Sequence, residues 1–282
     1  MLIAEPRRDL SDAGLIDAIE ADQLANRIVD PEIAVEAHLD PDVAWCLAPM
    51  ADTFRNVVLS ARFDDGSADR RIQQLTEAYG RAGTGFVWWV GRNDRPLDLG
   101  ARLGAAGMQL EGAAPAMAAD LRDVPLDEAP PEGLEVVPVN DEATLDEFLH
   151  VIAADWLEWT GGDHNEVQLR TLEGWRRQIP PRFAGEPVPL RWIGRVDGRV
   201  VATSRLSLGA GGAGLYAIST LAAHRRRGYG RALTIAALRA AASIGMRIAT
   251  LQSSDLGYGV YAKLGFRELF TYDVWIHPGP NA

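Results

Sequence analysis

Residues 225–230 read Arg-Arg-Arg-Gly-Tyr-Gly and run into the helix-forming stretch Arg231–Leu238. A β-branched and aromatic run, Leu215–Leu221, stands before them. The order predicts a strand, a basic glycine turn and a helix. A helix start leaves backbone N–H groups unpaired and carries about half a positive charge. Glycines let the turn approach a ligand, and arginines add donors matched to phosphate oxygens. These are the requirements for holding a pyrophosphate. A glycine-tolerant turn with a solvated basic face satisfies the same hexapeptide, so its surroundings must decide.

A second element lies downstream. Residues 254–266 read Ser-Asp-Leu-Gly-Tyr-Gly-Val-Tyr-Ala-Lys-Leu-Gly-Phe and follow a strand-like Arg247–Leu251. The succession is a strand, R-x-x-G-x-G opening a helix, a strand, and a short helix ending in Tyr-x-x-Leu-Gly-Phe. It resembles the GNAT superfamily of acyl-CoA-dependent N-acetyltransferases, with the close match running from Leu134 to Ile276. Two motifs in this order are far more specific than either alone.

The resemblance implies an α/β fold with a mixed, mostly antiparallel sheet flanked by helices, and acetyl-CoA as the cofactor. It places the main chain of Ile218, Ser219 and Thr220 along the pantetheine arm of coenzyme A. Arg225, Arg226, Arg227, Gly228, Tyr229, Gly230 and Arg231 would surround the pyrophosphate. Tyr261 matches the tyrosine that protonates the departing thiolate. A phenol pKa of about 10 lies above a thiol's, about 8.5, so Tyr261 keeps its proton at neutral pH. Ser254 stands where the family often has asparagine, and it serves equally well as a helix N-cap. The sequence departs from the family at Ala222 and Ala223, where proline and an acid are frequent.

The acceptor side is less legible. Asp155-Trp156-Leu157-Glu158-Trp159, Asp163-His164 and Glu173-Gly174-Trp175 lie in the segment that covers the acceptor pocket in this superfamily. Tryptophan faces and carboxylates can hold a cationic amine, and a solvated acidic face over core tryptophans explains the same residues. Glu158 is the candidate general base and His164 the second choice, with ordered water as a route that needs neither.

Composition narrows the classes. A formal charge of −11 over 282 residues argues against holding nucleic acid by phosphate neutralisation. A concentrated basic spot on an acidic protein fits a small anionic cofactor better than a polyanion. No apolar stretch approaches the roughly 18 residues of a membrane span, and Met1–Asp9 lacks the pattern of a secretory signal. The expectation is a cytoplasmic protein. The single Cys46 allows no internal disulfide and the histidines are scattered, so no metal site is expected.

Asp123–Gly133 is acidic, proline-rich and without hydrophobic periodicity, which reads as a linker. Leu134–Val139 reads as a strand, and Asn140 or Asp141 can cap a helix running to Leu157. Val167–Gln178 reads as a further helix. Asp197-Gly198 between Arg191–Val196 and Arg199–Leu208 signals a hairpin. Gly209–Gly214 satisfies G-x-G-x-x-G, but a strand follows it where the dinucleotide fingerprint requires a helix.

The first half echoes the second. A helix at Ala68–Ala82 precedes the strand Phe86–Val90, and a short helix after Asp98 ends at Ala106-Gly107-Met108. Aligning Gly107 with Gly265 puts Leu103 where Tyr261 stands. Asp64–Asp69 is acidic and lacks paired glycines, and its carboxylates would repel a pyrophosphate. Tandem GNAT proteins look similar, including the Trp88-Trp89-Val90-Gly91 stretch. The expected organisation is a degenerate GNAT-like domain at 1–125, a linker at 126–133 and a catalytic domain at 134–282. The expected activity is acetylation of a small amine-bearing molecule, with no nucleic acid or membrane partner. A non-catalytic acyl-CoA-binding or sensor protein and a peptide or protein N-acetyltransferase are the alternatives.

Overall fold

The computed structural model describes residues 4–29, 36–48, 53–160 and 188–279, with the side chains of 156–160 left out. The expected helix Val167–Gln178 lies outside the described residues. The chain runs α1 (Asp12–Leu24), β1 (Glu36–Leu39), β2 (Ala44–Leu47), β3 (Val57–Leu59), α2 (Ala68–Arg81), β4 (Phe86–Val90), α3 (Leu99–Ala105) and β5 (Gln109–Asp120). It continues with β6 (Glu135–Pro138), α4 (Glu142–Thr160), β7 (Arg191–Val196), β8 (Arg199–Ser207), β9 (Ala213–Thr220), α5 (Tyr229–Ser243), β10 (Ile248–Gln252), α6 (Asp255–Lys263) and β11 (Arg267–His277).

The chain divides into two compact units that interleave along the sequence. The first is Met1–Ala18, Ala118–Leu251 and Gly257–Arg267; the second is Ile19–Met117, Gln252–Leu256 and Glu268–Ala282. A single boundary at 126–133 therefore does not separate them. The reason is strand pairing: β11, the last strand of the sequence, is registered antiparallel on β4 from Asp273↔Val90 to His277↔Phe86. The segment expected as a linker lies inside the first unit, where the Leu126 carbonyl accepts from Arg239 Nε at 2.9 Å.

In the first unit the strands lie in the order β10-β9-β8-β7-β6. All neighbours are antiparallel except β9 and β10. The β7–β8 hairpin turns at Asp197 and Gly198, with φ of 50° and 74°, the left-handed pair that a two-residue turn demands. Helix α4 starts at a reciprocal cap, Asp141 Oδ1 accepting from the Thr144 N–H at 2.8 Å. It buries Leu145, Phe148 and Leu149, while α5 buries Leu233, Ile235 and Leu238. Ser204 Oγ donates to the Leu233 carbonyl of α5. Its neighbour Thr203 pairs with Ser219, whose side chain reaches α4. Successive strand residues point to opposite faces, so the two helices cover opposite faces of the sheet.

The second unit orders β1-β2-β3-β4-β11, with β3 and β4 parallel. Its core gathers Phe63, Ile72, Leu75, Tyr79, Phe86 and Trp88. The apolar spacing of Ala68, Ile72, Leu75 and Tyr79 gives α2 one buried face. Each unit thus contains a parallel strand pair joined through a helix, β3-α2-β4 in one and β9-α5-β10 in the other.

Candidate active site

The site is built around β9. Its parallel register with β10 comprises Ala213↔Ala249 and Gly214↔Thr250. Its antiparallel register with β8 continues to Thr220↔Ala202. Between Thr203↔Ser219 and Arg205↔Tyr216 the register shifts, so Ala217 and Ile218 stand against Ser204 alone. This is a β-bulge, and Ala217 takes φ of 50° there, rare for a residue with a side chain. Thr203 Oγ1 donates to the Ala217 carbonyl at 2.9 Å and holds the distortion. The bulge twists the strand just before Ile218, Ser219 and Thr220, beyond the stretch registered on β10. Sequence reading missed it, because no residue type in Ala217–Thr220 signals a bulge.

The strand ends in the basic turn. Arg226 (φ 64°) and Gly228 (φ 82°) are left-handed, and Gly228 caps the N-terminus of α5. The helix starts at Tyr229, two residues earlier than the sequence suggested, with the Ala232 N–H on the Gly228 carbonyl. The first N–H groups of α5 therefore have no intrahelical acceptor. A Cβ on Gly230 would sit 3.5 Å from Thr220 Oγ1 and 4.0 Å from Ile218 Cγ2. The turn and the strand end are thus adjacent. Arg226, Arg227 and Gly228 are exposed. A turn with main-chain donors at a helix start and two exposed arginines suits a pyrophosphate.

Three members of the expected set are engaged elsewhere. Arg225 donates from Nε to the Thr220 carbonyl at 3.0 Å and from Nη2 to Asp155 Oδ1 at 3.1 Å. Arg231 makes a bidentate pair with Glu128, both contacts at 2.7 Å. Guanidinium groups next to carboxylates take the strongest partner within reach, so two of the four arginines are paired with carboxylates here. Tyr229 is buried, so its ring belongs to the core and only its main chain borders the turn.

Tyr261 lies on α6, buried, and burial pushes its phenol above the ordinary value. The Tyr-x-x-Leu-Gly-Phe spacing has a local cause. The Phe266 N–H returns to the Tyr261 carbonyl at 3.1 Å, the Gly265 N–H to Ala262, and Gly265 is left-handed at φ 95°. This is a Schellman cap, with Phe266 as its apolar closing residue. In the second unit, α3 ends the same way: Met108 N–H on the Leu103 carbonyl and Gly107 at φ 89°. Leu103, fully buried, holds the place in that cap that Tyr261 holds in α6.

Ser254 immediately precedes α6, in the segment assigned to the second unit. Glu158 is on α4, but its side chain, like those of Trp156 and Trp159, lies outside the described residues, as do Asp163, His164, Glu173 and Trp175. Asp155 is described, and it accepts from Ser219 Oγ at 2.8 Å as well as from Arg225. No described helix is long and apolar enough to cross a membrane.

Residues 149–266 match the family model described as Acetyltransferase (GNAT) family. No curated protein sequence matches the chain. Among solved structures, a GCN5-related N-acetyltransferase from Kribbella flavida aligns at TM-score 0.69 and 19% identity, over 93% of this chain and 96% of that one. A conserved protein of unknown function from Staphylococcus epidermidis aligns at TM-score 0.66 and 10% identity, over 91% and 97%. A tandem GNAT protein from the clavulanic acid biosynthesis pathway aligns at TM-score 0.55 and 13% identity, over 98% and 97%. The fold is that of GNAT proteins, including a tandem one. Over residues 149–266 the chain is similar in sequence to GNAT acetyltransferases, and over its length it shares their fold.

Proposed function

We propose that the chain transfers an acetyl group from acetyl-CoA to the amine of a small molecule. The observation that carries this reading is the junction of a bulged strand end, Ile218–Thr220, with a left-handed arginine–glycine turn at the start of α5. Acetyl-CoA, when bound, supplies the acyl group as an activated thioester. The main chain of Ile218–Thr220 lines its arm. The N–H groups from Gly228 to Arg231, with Arg226 and Arg227, hold its pyrophosphate. Tyr261 keeps a proton on Oη well past neutral pH and can release it to a leaving group. Glu158, or a water in its place, takes the amine proton.

The second unit is read as a degenerate copy without a cofactor site. In it Leu103 has no proton to give, and Arg102 is held by Asp98 and Asp69, both at 3.0 Å. The protein is read as cytoplasmic, with a small cationic amine as its partner and no role for nucleic acid. Release of coenzyme A from acetyl-CoA, followed across a panel of small amines, tests the reading. Turnover that rises with one amine class supports it. Tight cofactor binding with no turnover on any amine would favour a sensor, and turnover only with peptides would move the acceptor class.

A further inference from the structure

Asp155 spans two separate parts of the site. Its Oδ2 accepts from Ser219 Oγ at 2.8 Å, and its Oδ1 accepts from Arg225 Nη2 at 3.1 Å. Arg225 Nε closes the circuit on the Thr220 carbonyl at 3.0 Å. One carboxylate therefore ties α4, the end of β9 and the first residue of the basic turn into a ring of hydrogen bonds. The segment has need of such a tie. The bulge at Ala217 lies before it and the left-handed Arg226 and Gly228 after it, so regular backbone is interrupted on both sides of Ser219–Arg225. Ser219 is buried, and a buried hydroxyl requires a partner.

We propose that Asp155 is a positioning residue for the coenzyme A loop. It braces Arg225 against the strand end, so that Arg226, Arg227 and the donors from Gly228 onward meet the pyrophosphate already ordered. Arg225 is then a strut of the turn and not a phosphate ligand. Ordering a loop in advance removes a cost that binding would otherwise bear. The ion pair is partly open to water, with side-chain exposures of 30% and 36%, so its effect on global stability is small and its effect on the turn is local. This inference rests on the acyl-transfer reading and adds to it the assignment of one carboxylate.

Calorimetric titration of the full chain with coenzyme A, at low and at high salt, tests the inference. The variants are Asp155→Asn, Arg225→Gln, their double and Ser219→Ala. Asp155→Asn is expected to lose on the order of tenfold in affinity, the scale of a charged hydrogen bond. The salt dependence should stay that of the parent, since the cations that meet phosphate are unchanged. The double variant should bind like either single one, and Ser219→Ala, which keeps the ion pair, should lose less. Affinity unchanged in Asp155→Asn overturns the inference, as does tighter binding with a steeper salt dependence, which would make Arg225 a phosphate ligand held back by Asp155. Should Asp155→Asn fail to fold, Arg225→Gln decides: weaker binding with the parent's salt dependence supports the strut, and a shallower dependence overturns it. No binding by the parent would overturn the acyl-transfer reading, and this inference with it. Binding by the parent with indifferent variants overturns this inference alone.

Discussion

Arg231 and Glu128 face each other in a two-point ion pair, Nε to Oε1 and Nη2 to Oε2, each at 2.7 Å. Arg231 stands in the first turn of α5, where the pyrophosphate is expected, and it holds the Glu128 carboxyl below the ordinary range. Glu128 comes from the acidic segment that the sequence presents as a linker. The pair is partly exposed and contributes less than about 1 kcal/mol to stability. Its larger consequence is for the ligand, because Glu128 competes for a guanidinium beside the turn. Glu128→Gln should leave the thermal midpoint nearly unchanged and tighten coenzyme A binding several-fold at low salt, the gain fading as salt screens it. Equal affinities in a side-by-side titration would place Arg231 outside the ligand's reach.

Gly228 is left-handed at φ 82°, and a Cβ there would lie 3.3 Å from Pro131 Cγ. Gly228→Val should cost roughly 1–2 kcal/mol of stability through backbone strain and weaken coenzyme A binding by tenfold or more. Gly228→Asn, which tolerates that conformation, should recover most of the stability and little of the binding. Chemical denaturation and titration of both variants separate strain from lost access. A valine variant that binds like the parent would show that the turn does not approach the ligand.

Tyr261→Phe should fold and bind coenzyme A as the parent does, since Phe keeps the ring contact with Phe266 at 6.0 Å between centroids. Turnover should fall by about 10²-fold, the usual contribution of a general acid. Burial raises the phenol above its ordinary value, so loss of that proton should not limit the parent's rate below about pH 10. Undiminished turnover in the variant would shift the proton to water or another side chain.

In the second unit, Asp94 accepts from the Gly91 N–H at 2.8 Å and from Arg62 Nη1 at 3.1 Å. Burial nonetheless pushes its carboxyl up from 3.8 to about 7, with Glu20 adding to the rise. Between those values the folded chain holds a proton that the unfolded chain has released. Stability contributed by this group is therefore highest in acid, falls as pH rises from about 4 to about 7, and is level above. Asp94→Asn should flatten that part of the pH–stability curve. A variant retaining the full slope would assign it to another group.

A fragment starting at Leu134 keeps the turn and Tyr261 but strips β11 of β4, its registered partner from Asp273 to His277. The exposed edge and the apolar side chains of Val274, Trp275 and Ile276 should make it aggregate or lose activity. Size-exclusion chromatography and an activity assay on the fragment check this. A monomeric, fully active fragment would show that β4 is dispensable to the catalytic unit.

What the sequence by itself determined is local. Gly107 and Gly265 end their helices because only left-handed backbone closes the cap. Asp197-Gly198 turns the hairpin for the same reason, and Asp141 starts α4 because its carboxylate meets an unpaired N–H three residues on. The strand, basic turn and helix were legible because each signal acts over a few neighbours. Tertiary structure decided the partners. Arg231 met Glu128 at a separation of 103 residues and Arg225 met Asp155 at 70, so two arginines that composition offered to a phosphate are held by carboxylates. The bulge at Ala217 follows from the register of β8 on β9, and the pairing of β11 with β4 from which edge the fold leaves open. Charge pairing and edge pairing depend on what lies across a gap in space, and residue order along the chain does not carry that distance.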